Sequence, residues 1–122
     1  MSEIVNAKIE STRLGFDRGC FLCAWLYMDY GDSSKQGFGG VVLAKKNDYD
    51  SSEVQSFGIN CISEILSVVG VEKWDDLKGS YCRVKKSGGY NGLIEAIGHP
   101  LKDKWFSYDD VMKKTRGENN EA

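Results

Sequence analysis

Between Cys20 and Tyr30 the chain is apolar on both faces of an extended strand. Phe21, Cys23, Trp25 and Tyr27 fall on one side, and Leu22, Ala24, Leu26 and Met28 on the other. A run of this kind predicts a strand covered on both faces, by other elements of the chain or by a second subunit. The strand is preceded by a broadly alternating stretch over residues 4–14, with Val5, Ala7 and Ile9 on one side. Phe16-Asp17-Arg18-Gly19 between the two reads as a hairpin turn.

With 122 residues, the chain has the length of one domain, and 41% apolar content is enough for one core. No apolar run reaches the length of a membrane span. Met1-Ser2-Glu3-Ile4-Val5 does not have the form of a secretory leader, so the four cysteines (Cys20, Cys23, Cys61 and Cys82) are expected as reduced thiols. Cys20 and Cys23 form a C-x-x-C with no second pair at metal-binding spacing, so burial is the favoured reading and no metal site is expected.

Residues 53–69 give the clearest helix. Val54, Phe57, Cys61, Ile62, Ile65, Leu66 and Val69 recur at helical spacing over 53–69, Ser51 or Ser52 is placed to cap, and Gly70 stands where a left-handed C-terminal residue belongs. Gly31 to Gly40 reads as a glycine-rich loop leading to a short strand, Val41–Ala44. It matches neither phosphate-loop pattern, and a strand rather than a helix follows it. Its glycines then imply close approach to another strand, a neighbouring subunit or a ligand. Residues 71–79 read as a short helical turn anchored by Trp74 and Leu77. A strand over 81–86, a hairpin loop over 87–92 and a return strand over 93–97 follow. Trp105 and Phe106 come before a last helix over 108–114. The expected fold is α+β: a single domain over 1–116, with an antiparallel sheet of five to six strands, one main helix and short C-terminal helices, and an acidic tail over 117–122.

The net charge of −2 is unevenly spread: residues 1–79 carry a net −4 and residues 80–116 a net +4. That basic third can complement a phosphorylated ligand. Tyr81, Arg83 and Lys85 alternate onto one strand face, followed by Tyr90 and Asn91. An aromatic ring offers a stacking plane for a base, Arg a forked donor to phosphate, and Asn an amide for a base edge or ribose. An ordinary exposed strand face accounts for the same residues. Catalytic groups are harder to assemble. The single histidine, His99, lies in a Gly-His-Pro turn, Asp75-Asp76 and Asp109-Asp110 are adjacent rather than opposed, and no serine lies in a nucleophile-elbow pattern. An enzyme is not expected, nor a cofactor.

Several segments resemble small phage and prophage proteins, the Thoeris anti-defence sponges that sequester glycocyclic ADP-ribose. They are Asn6-Ala7-Lys8-Ile9-Glu10-Ser11-Thr12, Asp29-Tyr30-Gly31, Gln36-Gly37-Phe38-Gly39-Gly40, Val68 through Gly79, Ile97-Gly98-His99 and Lys102-Asp103-Lys104-Trp105-Phe106. The glycine-rich loop departs from the family form: it carries Asp32 and Lys35 and runs one residue longer. The resemblance implies binding without turnover, with Tyr81 stacking on adenine and Asn91 hydrogen-bonding the ligand. Together with Arg83, Lys85 and Tyr90 from the strand face and loop, and with Arg116, these two residues form the expected ligand-binding set. The resemblance also implies a homo-oligomer built from dimers, further binding of cyclic di- or trinucleotides, and action in the cytoplasm of an infected bacterial host, with neither DNA nor membrane as partner. An enzyme that degrades the signal and a protein inhibitor of a host defence enzyme are the rival functions.

Overall fold

The computed structural model describes residues 2–48, 52–88 and 92–117. Strands β1 (Ser2–Asp17), β2 (Phe21–Asp29) and β3 (Lys35–Lys45) are followed by helix α1 (Ser52–Val69) and a 3-10 turn (Trp74–Asp76). Strands β4 (Tyr81–Ser87), β5 (Ile94–Gly98) and β6 (Trp105–Phe106) then lead into helix α2 (Tyr108–Arg116). The six strands form one open antiparallel sheet in the order β3-β2-β1-β4-β5-β6. No described helix is long and apolar enough to cross a membrane.

The sixteen-residue β1 organises the sheet because it serves two neighbours in succession. Its outer half, from Lys8 to Asp17, pairs with β2, and its first half, from Ser2 to Lys8, pairs with β4. Lys8 is where the two pairings meet, opposite both Asp29 and Tyr81. Among the described residues no strand therefore pairs with residues 3–6 on the β2 side. A bulge between Ile9 and Ser11 re-aims the side chains of the outer half, and the extra residue, Glu10, forms a 2.7 Å ion pair with Lys35.

One face of the sheet carries the core. Ala7, Ile9, Ala24, Leu26, Met28, Phe38, Leu43, Cys82, Val84, Ile97 and Phe106 are buried there against Phe57, Cys61, Ile65 and Val68 of α1 and Val111 of α2. α1 lies across β3, β5 and β6 and touches α2. Gly70 takes a φ of 93°, and its amide and that of Val71 both donate to Leu66 O, which closes α1 as the sequence predicts. α2 starts at Ser107, whose hydroxyl accepts the Asp110 amide, with Asp109 and Asp110 in the first turn, where carboxylates are favoured. Those adjacent aspartates are thus explained by the helix end.

The glycine-rich segment is the main departure from expectation. Residues 35–40, read from the sequence as loop, belong to β3, and only Gly31 to Ser34 form the turn. Gly39 and Gly40 sit in the strand because the neighbouring β2 presses on them. A Cβ on Gly39 would lie 2.0 Å from Ala24 O, and one on Gly40 would lie 2.6 Å from the Trp25 indole. Of the three partners glycine allowed, another strand is the one that meets Gly39 and Gly40. The first hairpin turn also falls one residue later than expected, at Asp17–Cys20, with Arg18 and Gly19 at φ 56° and 70° and Cys20 N donating to Asp17 O. β2 buries one face in the core through Ala24, Leu26 and Met28. On the other face Trp25 and Tyr27 lie half-buried, with parallel rings 6.1 Å apart.

Candidate functional site

Strand alternation sorts β4 cleanly. Cys82 and Val84 point into the core, and Tyr81, Arg83 and Lys85 point to the face that carries neither helix. Tyr81 is 63% exposed, with Lys8 Nζ 5.8 Å from its ring centroid. Arg83 is not free to act as a simple phosphate fork. Its Nε donates to His99 O at 2.8 Å and its Nη2 to Lys102 O at 2.8 Å. Its guanidinium also lies 4.9 Å from the centre of the Trp105 ring, and Lys85 Nζ approaches the same ring to 4.8 Å. Trp105 is a site neighbour that the sequence reading does not include. Its signal is Gly98, the cross-strand partner whose missing side chain makes room for an indole.

The expected ligand residues Tyr90 and Asn91 lie outside the described residues, as does the side chain of Arg116. Gly92, next in the chain after Asn91, is held firmly. Tyr30 Oη donates to Gln36 Oε1 at 2.7 Å, and Gln36 Nε2 donates to Gly92 O at 2.9 Å. Burial pushes the Tyr30 phenol up to about 12, so it stays a donor at neutral pH. Lys86 Nζ lies 4.9 Å above the Tyr30 ring.

These groups line a cleft of about 1000 Å³ beside the unpaired edge of β1, with Asn6, Tyr30, Ser34, Gln36, Lys86 and Gly92 among its walls. Its far wall is the Gly31–Ser34 turn, which is fixed by two aspartates: Asp29 Oδ1 accepts the Gly31 amide and Asp32 Oδ1 the Ser34 amide. The latter bond is the main reason the Asp32 carboxyl is held below its usual range. Lys35 also lines the cleft, its ammonium held by Glu10. The cleft offers a ring, amide groups, the Lys35 and Lys86 cations and the Glu3 and Asp32 carboxylates, a set that suits a polar ligand.

Tyr81 and the Gly92 end of the β4–β5 connection do not meet within one chain. They lie at opposite ends of the seven-residue β4, since Tyr81 faces Lys8 while Ser87 faces Ser2 and donates to Leu93 O. At about 3.3 Å per residue, Tyr81 and Ser87 are about 20 Å apart along the strand.

The C-x-x-C splits in the same way, Cys20 exposed in the hairpin turn and Cys23 buried with its Sγ 3.8 Å from Gly40 O. Among the described residues no cluster of His, Cys, Asp and Glu is arranged to hold a metal ion. The chain matches no protein-family model, no curated protein and no solved structure.

Proposed function

We propose that this protein binds a cyclic ADP-ribose-type nucleotide and sequesters it without cleaving it. This is the role implied by its resemblance to the Thoeris anti-defence sponges. In an infected bacterium, retention of the signal would leave the host effector unactivated. The observation that carries the reading is the polar cleft. Its volume suits a small-molecule site, and Lys86 over the Tyr30 ring provides cation and aromatic side by side. The β4–β5 connection, which carries Asn91, joins it through the anchored Gly92. Tyr81 lies about 20 Å from that end of β4. The homo-oligomer that the resemblance implies offers a second source of this ring, the Tyr81 of a neighbouring copy.

Titration calorimetry with glycocyclic ADP-ribose, followed by heat denaturation and chromatography of the released ligand, tests the reading. Tight binding with intact release supports sequestration, whereas a cleaved product identifies an enzyme. Absence of binding to this nucleotide and to a panel of cyclic di- and trinucleotides favours a protein inhibitor. Lys86→Ala and Asn91→Ala are expected to weaken binding at least tenfold, about 1.4 kcal/mol. Mixing Tyr81→Ala with Asn91→Ala protein restores a fraction of the sites if two copies share each one, and none if a single chain holds both residues.

A further inference from the structure

The turn between β5 and β6 is built around one imidazole. His99 Nδ1 accepts two backbone donors, Leu101 N and Lys102 N, each at 3.0 Å. The backbone of the same turn closes on itself, with His99 N donating to Lys104 O and Lys104 N to Lys102 O. Its outward-facing carbonyls, His99 O and Lys102 O, hold the Arg83 guanidinium, which in turn lies on Trp105.

We propose that His99 is a protonation-sensitive latch. Neutral, its Nδ1 lone pair holds the 99–104 turn and, through the turn, the position of Arg83. Once Nδ1 takes a proton it can only donate, so the Leu101 and Lys102 amides lose their acceptor and the turn opens.

The surroundings are arranged for the neutral form. Within the turn lie the Lys102 and Lys104 cations, and β4 contributes Arg83. Desolvation first, and then these three charges, hold the imidazole below its usual range. The acid of the turn, Asp103, accepts from Trp105 Nε1 at 2.9 Å. The other edge of the ring faces α1, where a Cβ on Gly70 would stand 3.5 Å from His99 Nε2. The carbonyl end of a helix favours a cation, but Lys104 Nζ already donates there, to Ser67 O at 3.1 Å.

The inference concerns the fold of the turn and stands whether or not the protein binds a nucleotide. It is tested on the full chain by nitrogen and amide NMR from about pH 8 to about pH 4. The neutral ring is expected to show Nδ1 unprotonated. The Leu101 and Lys102 amides are expected to shift together with the imidazole, along one curve with its midpoint below the ordinary histidine value, and their exchange protection to fall about tenfold across it. His99→Asn places an amide oxygen near the Nδ1 position and cannot take the proton, so it should keep both amides protected at every pH. Amides that stay fixed while the wild-type imidazole titrates overturn the proposal without reference to any variant. An Nδ1-protonated neutral ring, or a His99→Asn variant whose amides titrate like those of the wild type, overturns it equally.

Discussion

Trp105 lies so close over Gly98 that a Cβ on the glycine would stand 2.6 Å from the indole ring. The two residues are cross-strand partners at the β5–β6 edge, and the ring that fills the missing side chain's place is also the one that Arg83 and Lys85 approach. Gly98→Ala is therefore expected to cost about 1–3 kcal/mol by overpacking, because an indole held by Asp103 cannot swing aside freely. In a denaturant double-mutant cycle, the same substitution in a Trp105→Ala background should cost less than about 0.5 kcal/mol. Additive costs would show that the ring is not what excludes the methyl group.

Gly39 and Gly40 are neighbours in β3, yet their obstacles differ in kind. At Gly39 the added carbon would meet the Ala24 carbonyl at 2.0 Å, and φ is 141°. At Gly40 the obstruction is the Trp25 ring at 2.6 Å, and φ is 81°. Backbone cannot rotate away as a side chain can. Gly39→Ala is expected to cost about 3 kcal/mol or more, with no relief from Trp25→Ala. Gly40→Ala should be partly relieved by Trp25→Ala, leaving about 1 kcal/mol of left-handed strain. Equal rescue of both by Trp25→Ala would contradict this distinction.

That pair of glycines also marks where sequence reasoning stops. Helix α1 is legible because Phe57, Cys61, Ile65 and Val69 repeat at helical spacing and Gly70 ends the pattern; all four are buried. The alternation of Tyr81 to Lys86 likewise gives β4 its two faces. Residues 35–40 of β3 read as loop because glycine normally weakens a strand. The reason for these glycines lies in partners distant along the chain, the Ala24 carbonyl and the Trp25 ring, which need the space. The site divides along the same line. The exposed row on β4 is visible in one strand's periodicity, whereas the cleft needs β1 to run past the end of β2, a matter of register between strands. Tyr30, Gln36 and Lys86 carry no local pattern that would bring them together.

The Tyr30–Gln36–Gly92 chain ties the β4–β5 connection to β3. Gln36→Ala removes both bonds at once and is expected to cost about 1 kcal/mol of stability. Exchange of the amides flanking the connection, Ser87 and Leu93, should accelerate, while core amides of β1 slow or quicken only with global stability. Tyr30→Phe removes only the outer bond and should produce a smaller change at the same amides. Exchange in Gln36→Ala that rises uniformly across the sheet would sink the tether as a local device.

The four thiols should separate sharply by accessibility and charge. Burial pushes Cys61 and Cys82 up to about 12, and burial followed by the Asp17 carboxylate raises Cys23, whereas Cys20 is exposed in the hairpin turn. Because the thiolate is the nucleophile, iodoacetamide at about pH 8 is expected to add once, at Cys20, with the other three reacting only at the rate of unfolding. The same shifts contribute to the alkaline limit of the fold, beside the phenols of Tyr30 and Tyr108, which burial also raises. Both buried thiols have folded values above the unfolded value of 9.0, so the folded state favours the protonated thiols. Their contribution is complete below about pH 9 and is lost as pH rises toward about 12, because the unfolded chain then gives up protons that the folded chain retains. Denaturant midpoints measured from about pH 8 to about pH 11 should fall progressively, and Cys61→Ala with Cys82→Ala should flatten the slope even though each variant is less stable at neutral pH. Rapid native-state alkylation of Cys61 or Cys82, or an unchanged alkaline slope in the double variant, would remove the buried thiols as its cause.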